Sequence, residues 1–183
     1  MKQKALLHRI ILASVFAAMT TVLTFYVKIP VQNGYLHIGD GIIYIAACLL
    51  PTPAAMLCGA LGGCLADLLG GYTLYILPTF IIKGLLTLTF DSKSKKILTK
   101  RNILALAVGA VITVGGYYLA DAVIISYSSA ESFKSVLFSP VPWTSAISGL
   151  VSNLIQAAAS SAVFIALATA LDRIKIKSRI TEE

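Results

Sequence analysis

Six polar side chains interrupt apolar stretches of this chain: Asp40, Asp67, Lys83, Asp121 and the amides Asn153 and Gln156. Such groups are costly inside a lipid bilayer and mark a binding site, an ion path or a proton relay by default. Lys83 lies about halfway along its apolar run. Its amine is too deep to reach water by snorkelling, so it requires a carboxylate partner or a polar cavity. Asp40 follows Ile38-Gly39, where a structural helix cap accounts for it. Asp67, just before Leu68-Leu69-Gly70-Gly71, either bonds loop backbone groups or reaches a ligand. Asn153 and Gln156 are three apart and share a helix face, where they either tie helices together or meet a ligand.

Aromatic residues accompany them: Tyr35, Tyr72, Tyr75, Tyr117, Tyr118, Tyr127 and Trp143. An interfacial belt explains Tyr127 and Trp143, whereas Tyr117 and Tyr118 lie deeper, beside Asp121. Ring faces with a few placed polar groups suit a flat heteroaromatic ligand. The expected site is an outward-facing pocket built from spans four to six and covered by the loop over residues 31–37, which contains Asn33, Tyr35 and His37. Trp143, the only tryptophan, is expected near its mouth, where its fluorescence would report binding.

Familiar catalytic patterns are missing. There is no GxxxxGK[ST], no HExxH and no GxSxG, so neither an enzyme nor an internal ATPase is expected. His37-Ile-Gly-Asp40 lacks the first glycine of the aspartyl-protease signature Gly-x-Gly-Asp. Cys48, Cys58 and Cys64 form no CxxC pair and read as small buried hydrophobes, with no metal site.

The elements that must position these residues follow from composition. The chain has 183 residues, 57% hydrophobic and 13% charged, with a mean hydropathy of +0.85. Soluble domains carry about 45–50% apolar and about 25% charged residues. The expected fold is an all-α membrane protein, a compact bundle of six transmembrane helices forming one integral-membrane domain over 1–183. Apolar runs near the length a spanning helix needs cover 10–27, 38–50, 53–69, 74–90, 103–127 and 143–171. The second is too short to cross without leaning on its neighbours. Pro51-Thr52-Pro53 is either a bend or a true exit. The first run exceeds the roughly 7–15 residues of a signal-peptide core and reads as an uncleaved span.

The net charge of +7 is a topology signal. With six spans and the N-terminus inside, inner segments hold Lys2, Lys4 and Arg9, then Lys93, Lys95, Lys96, Lys100 and Arg101, then Arg173, Lys175, Lys177 and Arg179. The outer loops hold Lys28 and Lys134. The positive-inside rule therefore places both termini in the cytoplasm, and no nucleic-acid partner is expected. Lipid is the expected surroundings, with anionic headgroups attracted to the basic end.

Small residues line two spans. Ala13 and Ala17 are four apart on span one, on a stripe continued by Ser14 and Ala18. Ala55, Gly59, Gly62, Gly63 and Ala66 crowd span three. Such faces let backbones approach closely in lipid. Internal packing accounts for span three, while span one equally suits an outside partner.

Between residues 10 and 173 the chain resembles the substrate-binding (S) components of energy-coupling factor (ECF) vitamin transporters, of the riboflavin type. The matching pieces are Ala13-xxx-Ala17, Gly34-Tyr-Leu-His-Ile-Gly-Asp40, Ala66-Asp-Leu-Leu-Gly-Gly-Tyr72, Phe80-Ile-Ile-Lys-Gly84, Gly116-Tyr-Tyr-Leu-Ala-Asp121 and Asn153-Leu-Ile-Gln156. Ser148-Gly-Leu-Val-Ser152 departs from the proline-containing segment expected before Asn153. The resemblance implies a high-affinity vitamin-binding subunit in a prokaryotic plasma membrane. Such a subunit docks on a transmembrane coupling protein driven by two cytoplasmic ATPases. This chain would bind no cofactor, and ATP would be used by the partner subunits. The implied substrate-binding residues are Asn33, Tyr35, His37, Asp67, Tyr75, Lys83, Tyr117, Asp121, Asn153 and Gln156. Ala13 and Ala17 inherit the docking face.

Asp121 suits an aminopyrimidine or protonated pyridine, and Lys83 a phenolate or carbonyl oxygen. Pyridoxine or hydroxymethylpyrimidine is therefore expected slightly ahead of riboflavin. The rival reading is a stand-alone proton-coupled carrier using Asp67, Lys83 or Asp121, although no clear internal repeat supports it. A membrane scaffold without ligand is the third class, and it predicts no saturable binding.

Overall fold

The computed structural model describes residues 2–31, 34–129 and 132–181. Within them α1 (Lys2–Tyr26) leads into a hairpin of β1 (Lys28–Val31) and β2 (Gly34–His37). Then come α2 (Asp40–Leu49), α3 (Thr52–Gly70), a single 3-10 turn (Thr73–Tyr75) and α4 (Ile76–Thr87). The chain continues through α5 (Lys100–Ser128), the short α6 (Phe133–Leu137), α7 (Val141–Arg173) and the short α8 (Ile176–Thr181).

Local chemistry explains the breaks. Pro30 lacks the N–H that would continue α1 and sits instead in a two-stranded ribbon, opposite Tyr35. Pro51 is extended and Pro53 falls in the first turn of α3, where its missing N–H costs nothing. Gly71, at φ 78°, takes the left-handed position after α3, and the Tyr72 N–H bonds back to the Asp67 carbonyl at 2.9 Å. That turn throws Tyr72 and Tyr75 back toward the bundle. The Thr99 hydroxyl caps α5 by accepting the Asn102 N–H at 3.2 Å.

Four helices, α1 from Leu6, α3, α5 and α7, are long and apolar enough to cross a membrane, and two shorter apolar helices accompany them. The helices fall where the apolar runs predict, but α2 plays a different part from a span. Ten residues rise about 15 Å, half a hydrocarbon core. Residues 40–48 of α2 are all buried, so α2 fills the centre of the bundle. Around Tyr44 gather Phe90, Phe164, Leu86, Ile45 and Ala168.

Outward faces are greasy. Leu7, Ile11 and Val22 on α1, Leu104 and Val111 on α5, and Val151, Leu154 and Ile155 on α7 are each more than half exposed. So much apolar surface is untenable in water and matches hydrocarbon.

Two of the basic segments meet at one end of the bundle. Lys177 donates to the carbonyls of Ser92 at 3.0 Å and Ser94 at 2.7 Å. The Asp172 carboxylate accepts the N–H groups of Ile97 and Leu98, both at 2.8 Å. The linker between α4 and α5 is thus tied to the end of α7.

Between helices the small residues of α3 act as internal contacts. Ala55, Gly59, Gly62, Gly63 and Ala66 are all buried. At Gly62 the Thr21 hydroxyl of α1 donates to the glycine carbonyl at 3.0 Å. Gly59 and Gly63 let Lys83 of α4 approach closely: an added Cβ would stand 2.8 Å from its carbonyl oxygen at Gly59 and 3.0 Å from its Cγ at Gly63. The chain holds no disulfide: Cys48 and Cys58 are buried free thiols and Cys64 is half-buried.

Candidate functional site

An ion pair sets the floor. Lys83 projects from α4 toward the start of α2, and its Nζ lies 2.8 Å from each oxygen of Asp40. The two side chains are 1% and 0% exposed. Gln156 on α7 donates to Asp40 Oδ2 at 3.3 Å. The cap reading of Asp40 is corrected here. Gly39 is the N-cap and no side chain caps α2, because the Asp40 carboxylate turns inward as the counter-ion of Lys83. A buried amine without one would be prohibitive.

Above the pair, Tyr117 on α5 places its ring 5.1 Å from Lys83 Nζ and shares a hydrogen bond with Thr79 at 3.1 Å. Two carboxylates flank the cavity and each holds a phenol. Tyr35 of β2 donates to Asp67 Oδ1 at 2.7 Å, and Tyr75 donates to Asp121 Oδ1 at 2.7 Å. Burial, then the adjacent Asp67 charge, pushes the Tyr35 phenol far up its titration range, so it stays a donor. Tyr72 stacks beside Tyr35 with ring centroids 4.8 Å apart. The Lys28 amine, on β1, sits 4.3 Å from the Phe25 ring and 5.2 Å from the Tyr35 ring. These contacts hold the hairpin down over a cavity of about 60 Å³.

His37 anchors the other end of the hairpin. Its Nδ1 accepts the Gly39 N–H at 3.2 Å and faces the Thr24 hydroxyl at 3.4 Å. An acceptor Nδ1 means that the ring is neutral with its proton on Nε2. Burial pushes His37 down to about 4 from 6.5; Asp40 opposes that shift and Lys83 adds to it. The sign follows from linkage: the unfolded chain binds this proton more readily, so the stabilisation is complete above pH 6.5 and lost as pH falls through 4. Detergent-solubilised protein is expected to lose about 3 kcal/mol from this group across that window. The check is the pH dependence of unfolding against His37→Gln, in which that component vanishes. Parallel curves for the two proteins would refute the role.

Nine of the ten residues expected to bind substrate line this single cavity: Tyr35, His37, Asp67, Tyr75, Lys83, Tyr117, Asp121, Asn153 and Gln156. Asn33 lies outside the described residues. Thr24 on α1 and Gly63 and Asp67 on α3 also line it, so the walls extend beyond spans four to six. Thr24, Thr79, Ser148, Gly149 and Ser152 were not legible as site residues, because hydroxyls and glycines recur throughout these helices without a distinguishing pattern. Tyr118 and Trp143 are set apart. Their rings meet each other at 5.8 Å, and the Trp143 indole donates to the Leu137 carbonyl at 2.8 Å. Trp143 therefore tethers α6 to α7, away from the cavity lining. Ala13 and Ala17 lie on α1, half-buried against the core, while Ser14 and Ala18 beside them are exposed.

The arrangement has the parts of a binding site: aromatic walls, paired donors and acceptors, and a strand ribbon as cover. Among the described residues no cluster of His, Cys, Asp or Glu is suited to hold a metal. Comparison with known proteins agrees with a binding and transport role. The "Uncharacterized protein in gap 3'region" of Pyrococcus woesei is 34% identical over 100 residues, which is 53% of this chain and 67% of that protein. The family model of the ECF-type riboflavin transporter S component matches residues 4–173. With nearly its whole length matched, the chain belongs to the ECF-type riboflavin transporter S-component family, a family of transporters and not of enzymes.

Proposed function

We propose that this chain is the high-affinity substrate-binding membrane subunit of an ECF-type ABC importer for a B vitamin or vitamin precursor. One observation carries the reading. Nine polar and aromatic residues, scattered from Tyr35 to Gln156, converge on one hairpin-covered cavity in a chain of this family. Family membership implies a vitamin ligand and association with coupling and ATPase subunits. The apolar helices form a bundle across a plasma membrane, with α2 as its half-length interior helix and with both termini and the basic end in the cytoplasm. Ligand sites commonly hold about 300–1,000 Å³. The cavity is far smaller, so the hairpin must lift for loading. Asp121 on the wall suits an aminopyrimidine or a protonated pyridine, which favours a one-ring compound, pyridoxine or hydroxymethylpyrimidine. Riboflavin is the second reading, favoured by the description of the family.

Titration of the purified chain with a vitamin panel, with mass spectrometry of co-purified ligand, tests this. Tight riboflavin binding without response to pyridines or pyrimidines would reverse the substrate preference. Docking on the coupling protein is assigned to the α1 face bearing Ala13 and Ala17. Ser14→Trp with Ala18→Trp, on the exposed side of that stripe, is expected to abolish uptake while ligand affinity stays within about threefold of the parent, whereas tryptophan at the half-buried Ala13 or Ala17 would also disturb the core. Lost affinity in the Ser14 and Ala18 variant would count against that assignment. Uptake that collapses with the proton gradient but survives ATP depletion would favour the stand-alone carrier instead. The Asp40 partner of Lys83 weighs against Lys83 as a free relay.

A further inference from the structure

The charges around the cavity do not balance. Lys83 is cancelled by Asp40 at 2.8 Å, and His37 is neutral. The charged lining residues left over are two carboxylates, Asp67 on α3 and Asp121 on α5. Lys28, the next cation, spends its amine on the Phe25 and Tyr35 rings and does not line the cavity.

Each carboxylate has one oxygen committed to a tyrosine. For Asp67, 5% exposed, the second oxygen is buried and accepts no well-formed hydrogen bond among the described residues, the Thr79 hydroxyl near the carboxylate being shared with Tyr117. An orphaned buried acceptor costs about 1–3 kcal/mol, more when charged, and marks a place where a partner is missing. At Asp121 the opposing residue is Gly149 on α7, where an added Cβ would stand 2.7 Å from Oδ2. Glycine there keeps the approach to the second carboxylate open.

We propose that Asp67 Oδ2 is the acceptor for an N–H or O–H of the bound molecule while Oδ1 holds the hairpin through Tyr35. The site then takes cationic or donor-bearing neutral ring compounds and rejects their phosphate esters. The inference rests on the vitamin-binding reading and narrows it. A phosphate brings a charge of about −1.5 to −2 and only acceptor oxygens, and here it would meet two carboxylates in a poorly hydrated cavity. One carboxylate serving lid and ligand also couples closure to occupancy by the right donor.

The test is calorimetric titration of the full chain in nanodiscs with two matched pairs, riboflavin against riboflavin 5′-phosphate and pyridoxine against pyridoxine 5′-phosphate. The unphosphorylated member of whichever pair binds is expected to be favoured at least about tenfold. Asp67→Asn keeps the oxygen that accepts Tyr35 and turns the free acceptor into a donor. It is expected to weaken the favoured compound by about 10–100-fold and to shrink the ratio within the pair. Tyr35→Phe removes the lid bond but leaves Oδ2, so both members weaken and the ratio persists. Equal affinities within a pair for the parent protein, or an unchanged ratio in an Asp67→Asn protein with parental melting, would overturn the inference alone. No saturable binding by any of the four, with melting intact, would overturn it together with the riboflavin and pyridoxine readings.

Discussion

Lys83→Ala is expected to cost the folded protein about 3–5 kcal/mol, because it strands the Asp40 carboxylate in the bundle. The contact at risk is complete: both side chains are effectively unexposed, both Asp40 oxygens lie 2.8 Å from the amine, and the remaining donor is Gln156 at 3.3 Å. Both partners are shielded from bulk water, since α2 is buried along residues 40–48 and Tyr117 stands over the amine. The loss comes from the unpaired charge and not from the value of the pair itself. Asp40→Asn combined with Lys83→Met is therefore expected to recover most of the stability. Unfolding of detergent-purified protein provides the measurement. A Lys83→Ala protein that unfolds like the parent, or a double variant as damaged as the single one, would refute the account. Ligand binding is expected to be lost in both, because the pair is the cavity floor.

Gly62→Leu is expected to be severely damaging. A Cβ at this glycine would stand 2.9 Å from the Ala17 carbonyl and 2.8 Å from Thr20 Cβ. The first obstacle is backbone and cannot rotate away. Gly62→Ala already forces the helices apart, at about 1–3 kcal/mol, and the leucine adds bulk with nowhere to go. The hydrogen bond from Thr21 to the Gly62 carbonyl would be lost as well. Gly115 on α5 is the contrast, since nothing stands within 4 Å of its added Cβ. Gly115→Ala is expected to leave stability unchanged or raise it by about 0.5–1 kcal/mol. Melting temperatures of the three variants decide the matter; equal damage at positions 62 and 115 would mean that close approach of α1 and α3 is not the cause.

Much of the site was legible because lipid makes polarity conspicuous. Asp67, Lys83, Asp121 and Gln156 stood out as residues that apolar runs do not tolerate without a reason, and all four line the cavity. Their partners were less legible. That Lys83 needs a carboxylate follows from its depth, but three aspartates were available. The choice of Asp40, 43 residues earlier, depends on α2 lying in the centre beside α4. Asp40 read as a cap because its position before an apolar run is what a cap looks like locally. Trp143 read as a mouth residue because its place at the start of a span is shared by belt aromatics and site aromatics alike.

That the chain is a membrane bundle, and where its apolar helices run, could be read from the residues alone. Those properties add up residue by residue from transfer free energies and from the proline and glycine breaks. It took the folded arrangement to show that α2 is an interior half-length helix, that residues 28–31 and 34–37 pair as a ribbon over the cavity, and which acid answers which base. These depend on how closely helices approach, which glycines such as Gly59 and Gly62 set across contacts distant in sequence. Charge pairing inside lipid is a property of that approach, because an interaction this strong exists only where the helices bring the two groups within a few ångströms and away from water.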